Sequence, residues 1–121
     1  MANTHTKMET ITTEEINTRA DELSKVHNVK VTPIVFFDED TNEKIVGYLK
    51  EPTRLQKQRA LDKTLISQSS AGEDLLMACL IKEESNPRIY SESSNDDAIV
   101  MGACQAALAT VKLKQNIAKK N

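Results

Sequence analysis

Residues 46–63 read VGYLKEPTRLQKQRALDK, and this stretch joins a β-prone segment to a helical one. Glu51 precedes a proline, which favours extended backbone at Glu51. Pro52 or Thr53 then opens a helix, because the first helical turn does not need the amide that proline lacks. A strand-to-helix junction followed by a solvated basic face accounts for the whole stretch. The alternative is a basic contact surface for a partner, beginning at Arg54.

The segment before this junction predicts a β-hairpin over residues 29–50. Residues 29–37 are rich in β-branched and aromatic side chains, and residues 44–50 are again apolar, with a polar cluster between them. Two such runs around a short polar loop are typical of a hairpin. Pro33 has no amide donor, so its strand should lie at a sheet edge or begin after it. Because a lone hairpin is marginally stable, it must pack on helices or pair with a third short strand, either residues 88–90 or a strand of another copy.

Helices are expected to surround the hairpin. Thr12 and Glu15 have the spacing of a capping box at the start of the first helix. Residues 1–12 are expected to form a flexible arm, and residues 13–121 a single domain. The predicted fold is therefore a helix-dominated α+β domain, in which the hairpin packs on a bundle of three to four helices. The helices are expected at residues 13–26, 53–67, 71–84 and 96–119, the last being the longest. The second helix should bury an apolar side made of Leu55, Ala60, Leu61, Leu65 and Ile66.

The last predicted helix carries small residues at a regular spacing. Ala98, Gly102 and Ala106 lie four residues apart. Small side chains at this spacing let a neighbouring backbone come close. The pattern favours tight packing against one helix of the core, and the alternative is a self-association seam.

Composition narrows the function classes. The 121-residue chain has 28% charged residues and a formal net charge of -2, without the basic excess of a broad nucleic-acid footprint. No apolar run approaches the ~20 residues that span a bilayer. Residues 1–12 lack the apolar middle of a signal peptide. We expect a cytoplasmic protein without membrane contact.

Few residues are arranged for chemistry. The chain has three glycines and no glycine-rich phosphate loop. His27 and the two cysteines, Cys79 and Cys104, do not have the spacing of a metal site. Buried free thiols are the expected state of the cysteines, with a disulfide as the alternative. Acidic pairs such as Asp38/Asp40 and Asp96-Asp97 fall at turns and helix ends, where capping and solubility account for them. No catalytic, cofactor-binding or metal residue is predicted, and the chain is not expected to be an enzyme.

The order of motifs resembles a known group of phage proteins. A hairpin leads into GYLKEPTR, followed by AGEDLLMACLI with EESNPRIY, and then by NDDAIVMGACQAALATVKLKQNIAKKN. This order, over residues 29–121, resembles small tailed-phage and prophage proteins of the tail assembly chaperone type. The resemblance implies a non-enzymatic morphogenesis protein that binds tape-measure or tail-tube proteins in the host bacterial cytoplasm.

Two other functions remain open from sequence. One is a structural virion component, a tail or capsid subunit, which would place the protein in the particle. The other is a small nucleic-acid-binding protein using the basic residues after Arg54. For protein partners or self-association, the expected surface combines the hairpin edge with the small-residue face of the last helix. The candidate residues are Ile34, Val35, Phe36, Phe37, Tyr48, Arg54, Gly102 and Ala106.

Overall fold

The computed structural model describes residues 11–118 and has a helix-dominated α+β fold. Residues 1–10 of the predicted arm lie outside the described part of the chain. Three short 3-10 helices, Lys82–Glu84, Pro87–Tyr90 and Ser94–Asp96, connect the last two α-helices. The predicted fold class is confirmed. The main elements are α1 Thr13–His27, β1 Val31–Asp38, β2 Glu43–Lys50, α2 Arg54–Thr64, α3 Gln68–Cys79 and α4 Asp97–Leu108.

The first helix, α1, lies within one residue of its predicted span. The amide of Glu15 donates to Thr12 Oγ1 at 3.1 Å, and the amide of Thr12 donates to Glu15 Oε1 at 2.8 Å. The helix ends at His27, where Asn28 takes the left-handed conformation with φ 54°. Local hydrogen bonds therefore fix both ends of this helix.

The hairpin lies between two helical layers. β1 and β2 are antiparallel, with Val35 opposite Val46. Successive side chains of a strand point to opposite faces, so each strand contributes to both layers. One face packs against α3 and α4, and the other packs against α1. The first face contributes Ile34, Ile45 and Leu49 to the main core, and the second contributes Val31 and Tyr48 to a smaller core.

Residues 46–63 contain the end of β2, a junction at residues 51–53 and most of α2. The amide of Gln56 donates to Thr53 Oγ1 at 3.1 Å, and the amide of Thr53 donates to Gln56 Oε1 at 2.8 Å. This second capping box starts α2 at Arg54, and the helix ends at Thr64, before the predicted residue 67. The predicted burial of its apolar side is wrong, since Ala60 alone of the five residues is buried.

The third helix, α3, differs from its predicted span of 71–84 at both ends. The amide of Ser70 donates to Ser67 Oγ at 3.3 Å, and this cap starts the helix at Gln68. The chain leaves the helix at Leu80, whose ψ of 130° is extended. Helical propensity is overridden there, because the following residues gain burial and hydrogen bonds along β2.

The prediction of a third strand at residues 88–90 is wrong. These residues belong to the 3-10 helix Pro87–Tyr90, and the side chain of Ile89 in this helix is fully buried. The extra pairing with the hairpin comes instead from Leu80, which forms a single antiparallel bridge with Leu49.

The last helix, α4, is shorter than predicted. It spans 12 residues and ends at Leu108, well before residue 119, whereas α1 has 15 residues and is the longer helix. Beyond this end, Leu113 and Ile117 are 76% and 69% exposed. A helical stripe that buries nothing gains little from packing, and short helices depend on packing for stability.

Candidate functional site

The outer edge of β1 is the most distinctive surface of the described chain. In an antiparallel pair, alternate residues bond to the facing strand and the others direct their backbone groups outward. The amide of Glu51 donates to the carbonyl of Lys30 at 2.8 Å, which fixes the pattern. Given the register of the hairpin, the even-numbered residues of β1 bond to β2 and the odd-numbered residues face away from it.

Two outward donors on this edge have no partner among residues 11–118. The outward amide of Val31 donates to Ser24 Oγ at 2.9 Å, and Pro33 has no N–H. The amides of Val35 and Phe37 are therefore the two outward donors without a partner among these residues. The side chains of Val35 and Phe37 are 46% and 55% exposed. Unpaired donors next to exposed apolar side chains are what an added β-strand binds.

The outer edge of β2 is closed by the segment after α3. The amide of Ile81 donates to the carbonyl of Tyr48 at 2.9 Å, and the amide of Asn86 donates to the carbonyl of Val46 at 2.9 Å. The amide of Tyr48 donates to Ser85 Oγ at 3.0 Å, and that hydroxyl donates to the carbonyl of Ile81 at 2.7 Å. Only the β1 edge is therefore open to an additional strand in the described chain.

The structure separates the candidate hairpin residues into surface and core. Val35 and Phe37 are exposed, and Phe36 is half-buried on the opposite face. Ile34 and Tyr48 are buried, and burial raises the pKa of the Tyr48 hydroxyl. Ile34 of β1 and Tyr48 of β2 therefore pack in the core beneath the hairpin and are not available to a partner in this conformation.

Within the small-residue face of α4, Gly102 meets the hairpin rather than a helix, and Ala98 is exposed. A Cβ added at Gly102 would lie 3.3 Å from the Phe36 ring, so the two predicted surfaces meet at this contact. Ala106 lines a shallow depression together with Thr32, near the start of β1. The close approach of two helices occurs elsewhere, because a Cβ at Gly72 of α3 would lie 2.7 Å from the carbonyl oxygen of Cys104. The predicted packing against a helix is thus wrong for Gly102.

The basic residues after the junction are partly neutralised. Arg54 is the exposed first residue of α2. Lys57 Nζ lies 2.6 Å from a Glu51 carboxylate oxygen, and Lys63 forms an ion pair with Asp74. Two of the cations that a nucleic-acid surface would use are therefore held by carboxylates of the chain itself.

Arg88 joins the hairpin turn to the start of α4. Its guanidinium lies 2.6 Å from Asp38, 2.8 Å from Glu43 and 2.7 Å from Asp96. The bond from Arg88 holds the pKa of Asp38 below its usual value, and bonds from Ser91 and Arg88 lower that of Asp96. This cluster could not be found from the sequence, because its members are distant along the chain.

The two thiols are not activated. Cys79 and Cys104 are free, the first buried and the second half-buried. Burial raises the pKa of both, which keeps them in the less nucleophilic thiol form. Among residues 11–118, no group of three or more His, Cys, Asp or Glu side chains is placed to hold a metal ion.

No helix in the described range combines the length and the apolar character needed to cross a membrane.

No protein-family model, curated protein or solved structure matches this chain. The open β1 edge and the order of motifs in the sequence are therefore the features of this chain that bear on its function.

Proposed function

We propose that this chain is a non-enzymatic phage or prophage morphogenesis protein of the tail assembly chaperone type. In this proposal it binds an extended segment of another tail protein, from the tape measure or the tail tube, in the host bacterial cytoplasm. The observation that supports it is the open edge of β1 at Val35 and Phe37. Strand addition at such an edge uses main-chain hydrogen bonds for affinity and side-chain contacts for selectivity.

The chemistry of this edge defines the partner segment. It must supply backbone carbonyls to the amides of Val35 and Phe37. It is therefore an extended strand that is not interrupted by proline. Its side chains must be apolar where they meet the exposed Val35 and Phe37. Binding would cover these apolar side chains on both proteins until assembly.

A second apolar surface supports a protein partner. Leu65 and Ile66, between α2 and α3, are 87% and 88% exposed. Exposed apolar groups of this size on adjacent residues are a common feature of protein contacts.

Co-expression with the tail proteins tests the proposal. A tagged wild-type chain is expected to capture the tape-measure or tail-tube protein. Val35→Pro, which removes an outward donor, and Phe37→Lys, which adds an edge charge, should reduce capture at least about tenfold. The matched control is Val26→Lys, because Val26 is an exposed valine on α1 rather than on the edge. Capture unchanged by both edge variants would contradict the proposal.

Two further measurements separate the other functions. A chaperone should be absent from purified particles, whereas a structural virion component would be present at fixed stoichiometry. A nucleic-acid-binding protein would shift DNA or RNA at low salt and lose this binding steeply as salt rises.

A further inference from the structure

The open edge of β1 also fits a second copy of itself. We propose that, without a tail-protein partner, two copies pair through this edge in antiparallel orientation around a two-fold axis at Val35. This dimer uses the surface named in the proposed function but not the tail-protein partner, so the two proposals can fail separately.

The hydrogen-bonding groups match in this register. Val35 lies opposite Val35 of the second copy, and Phe37 lies opposite Pro33 of the second copy. Each odd-numbered residue then faces an odd-numbered residue of the second copy, and the odd-numbered residues are the ones whose backbone groups are directed outward. Each Val35 amide donates to the opposite Val35 carbonyl, and each Phe37 amide donates to the opposite Pro33 carbonyl. The unpaired amides of Val35 and Phe37 on both copies are then all hydrogen-bonded.

Pro33 fits this pairing because of the donor it lacks. Its carbonyl still accepts, and the missing N–H falls opposite the Phe37 carbonyl, which can bond to water. The side chains of Pro33, Val35 and Phe37 lie on one face, so apolar groups meet across the two-fold axis. On the other face, the half-buried Phe36 comes opposite Ile34 of the second copy.

Charge favours the antiparallel orientation. The edge has no charged residue between Lys30 and Asp38, so it lacks the central lysine that commonly blocks edge pairing. Lys30 and Asp40 are exposed near opposite ends of β1. Antiparallel pairing places Lys30 of each copy opposite Asp40 of the other, whereas parallel pairing would bring like charges together.

The oligomeric state of the purified protein is the first test. Light scattering and sedimentation over a concentration series should show a monomer–dimer equilibrium. Val35→Pro removes one central donor from each copy and should raise the dimer dissociation constant at least about tenfold. Val35→Lys keeps the donor but adds like charges at the axis, and it should weaken the dimer as well. Val26→Lys should leave the equilibrium unchanged.

Cysteine cross-linking tests the register. In a Cys104→Ala background, Val35→Cys should form an intermolecular disulfide, because directly opposed strand residues have the Cα separation that a disulfide needs. Phe37→Cys alone should not, since its two copies would be ~13 Å apart at ~3.3 Å per residue. A mixture of Phe37→Cys and Pro33→Cys chains should cross-link. The remaining cysteine, Cys79, is buried.

Each outcome decides the inference. A monomer at every concentration, or a dimer that Val35→Pro and Val35→Lys leave unchanged, would overturn it. Cross-linking at Phe37→Cys but not at Val35→Cys would overturn the register. A monomer that still captures a tail protein would refute the dimer and keep the proposed function. A dimer that captures no tail protein would support the dimer and refute the proposed function.

Discussion

The two outer edges of the hairpin differ in how their backbone groups are satisfied. Along β2, the segment after α3 supplies two amides and a serine hydroxyl to the strand. Among the outward amides of β1, that of Val31 alone has a partner within residues 11–118, the hydroxyl of Ser24 in α1, and those of Val35 and Phe37 have none. One edge is therefore completed by the chain itself, and the other is open at Val35 and Phe37.

The difference shows what closing an edge requires of the sequence. To cover β2, the chain leaves a helical conformation at Leu80 and continues through short 3-10 turns. Ser85 is buried there and serves as acceptor and donor at once. No comparable segment of residues 11–118 covers β1 beyond Val31. We therefore expect substitutions on the β2 side to affect stability and those on the β1 side to affect binding.

The largest effect should come from the side chains beneath the two edges. Leu49 of β2 is 1% exposed, so Leu49→Ala should lower the free energy of unfolding by about 2–5 kcal/mol. Val35→Ala on β1 should change it by less than ~0.5 kcal/mol, because half of that side chain already contacts water. Urea unfolding of both variants measures the contrast. Similar losses in the two variants would mean that the β1 edge is not exposed in solution.

A smaller effect should follow from the serine that closes β2. Ser85→Ala leaves the amide of Tyr48 buried without an acceptor, which should cost about 1–3 kcal/mol. Ser94→Ala is the matched control, since Ser94 is exposed. Equal stability of the two variants would show that Ser85 is not needed to close this edge.

The Arg88 cluster should make stability depend on pH. The folded-state pKa values of Asp38 and Asp96 lie below their unfolded values. Their contribution is therefore complete above an unfolded pKa of about 3.9 and is lost as pH falls through the lower folded values. The midpoint temperature of thermal unfolding should therefore decrease as the pH is lowered through this acidic range.

Arg88→Leu provides the control for this pH dependence. The variant should have a lower midpoint at neutral pH and a shallower decline in acid, because the two carboxylates lose their shared cation. If wild type and variant declined in parallel, the cluster would not be the source of the pH dependence.

A small effect on stability is also expected from Val35→Pro. The outward amide of Val35 bonds to nothing in the hairpin ladder, so its loss should cost less than ~1 kcal/mol in the monomer. Phe36→Pro should be far more damaging, because its amide belongs to the ladder with β2. Urea unfolding at low protein concentration compares the two. A severe loss in Val35→Pro would mean that this amide has a partner within the chain.

Most of the fold could be predicted because its signals are local. The predicted capping box at Thr12 involves residues three positions apart, and the start of α2 follows from the proline next to Thr53. The hairpin follows from two β-prone runs around a polar turn. The ends of two helices were predicted wrongly because they depend on distant segments. α3 ends early because Leu80 pairs with Leu49 of β2, and α4 ends at Leu108 because Leu113 packs against nothing within residues 11–118.

The candidate site was predicted only in part for the same reason. Alternation along β1 indicates two faces, but not which one a helix covers or how far. Val35 and Phe37 are exposed because the smaller core against α1 ends at Val31 and Val46. The Arg88 cluster could not be found from spacing, since Asp38 lies 50 residues away from it.

The sequence by itself determined the fold class, the capping box at Thr12 and the hairpin, because each depends on hydrogen bonds and side-chain patterns within a few residues. Only the tertiary structure decided which hairpin edge is open, where α3 and α4 end, and which charges are paired. Those features depend on which distant groups compete for the same hydrogen bonds and buried surface. Burial and backbone pairing are properties of the assembled chain, so no short segment contains the information that decides them.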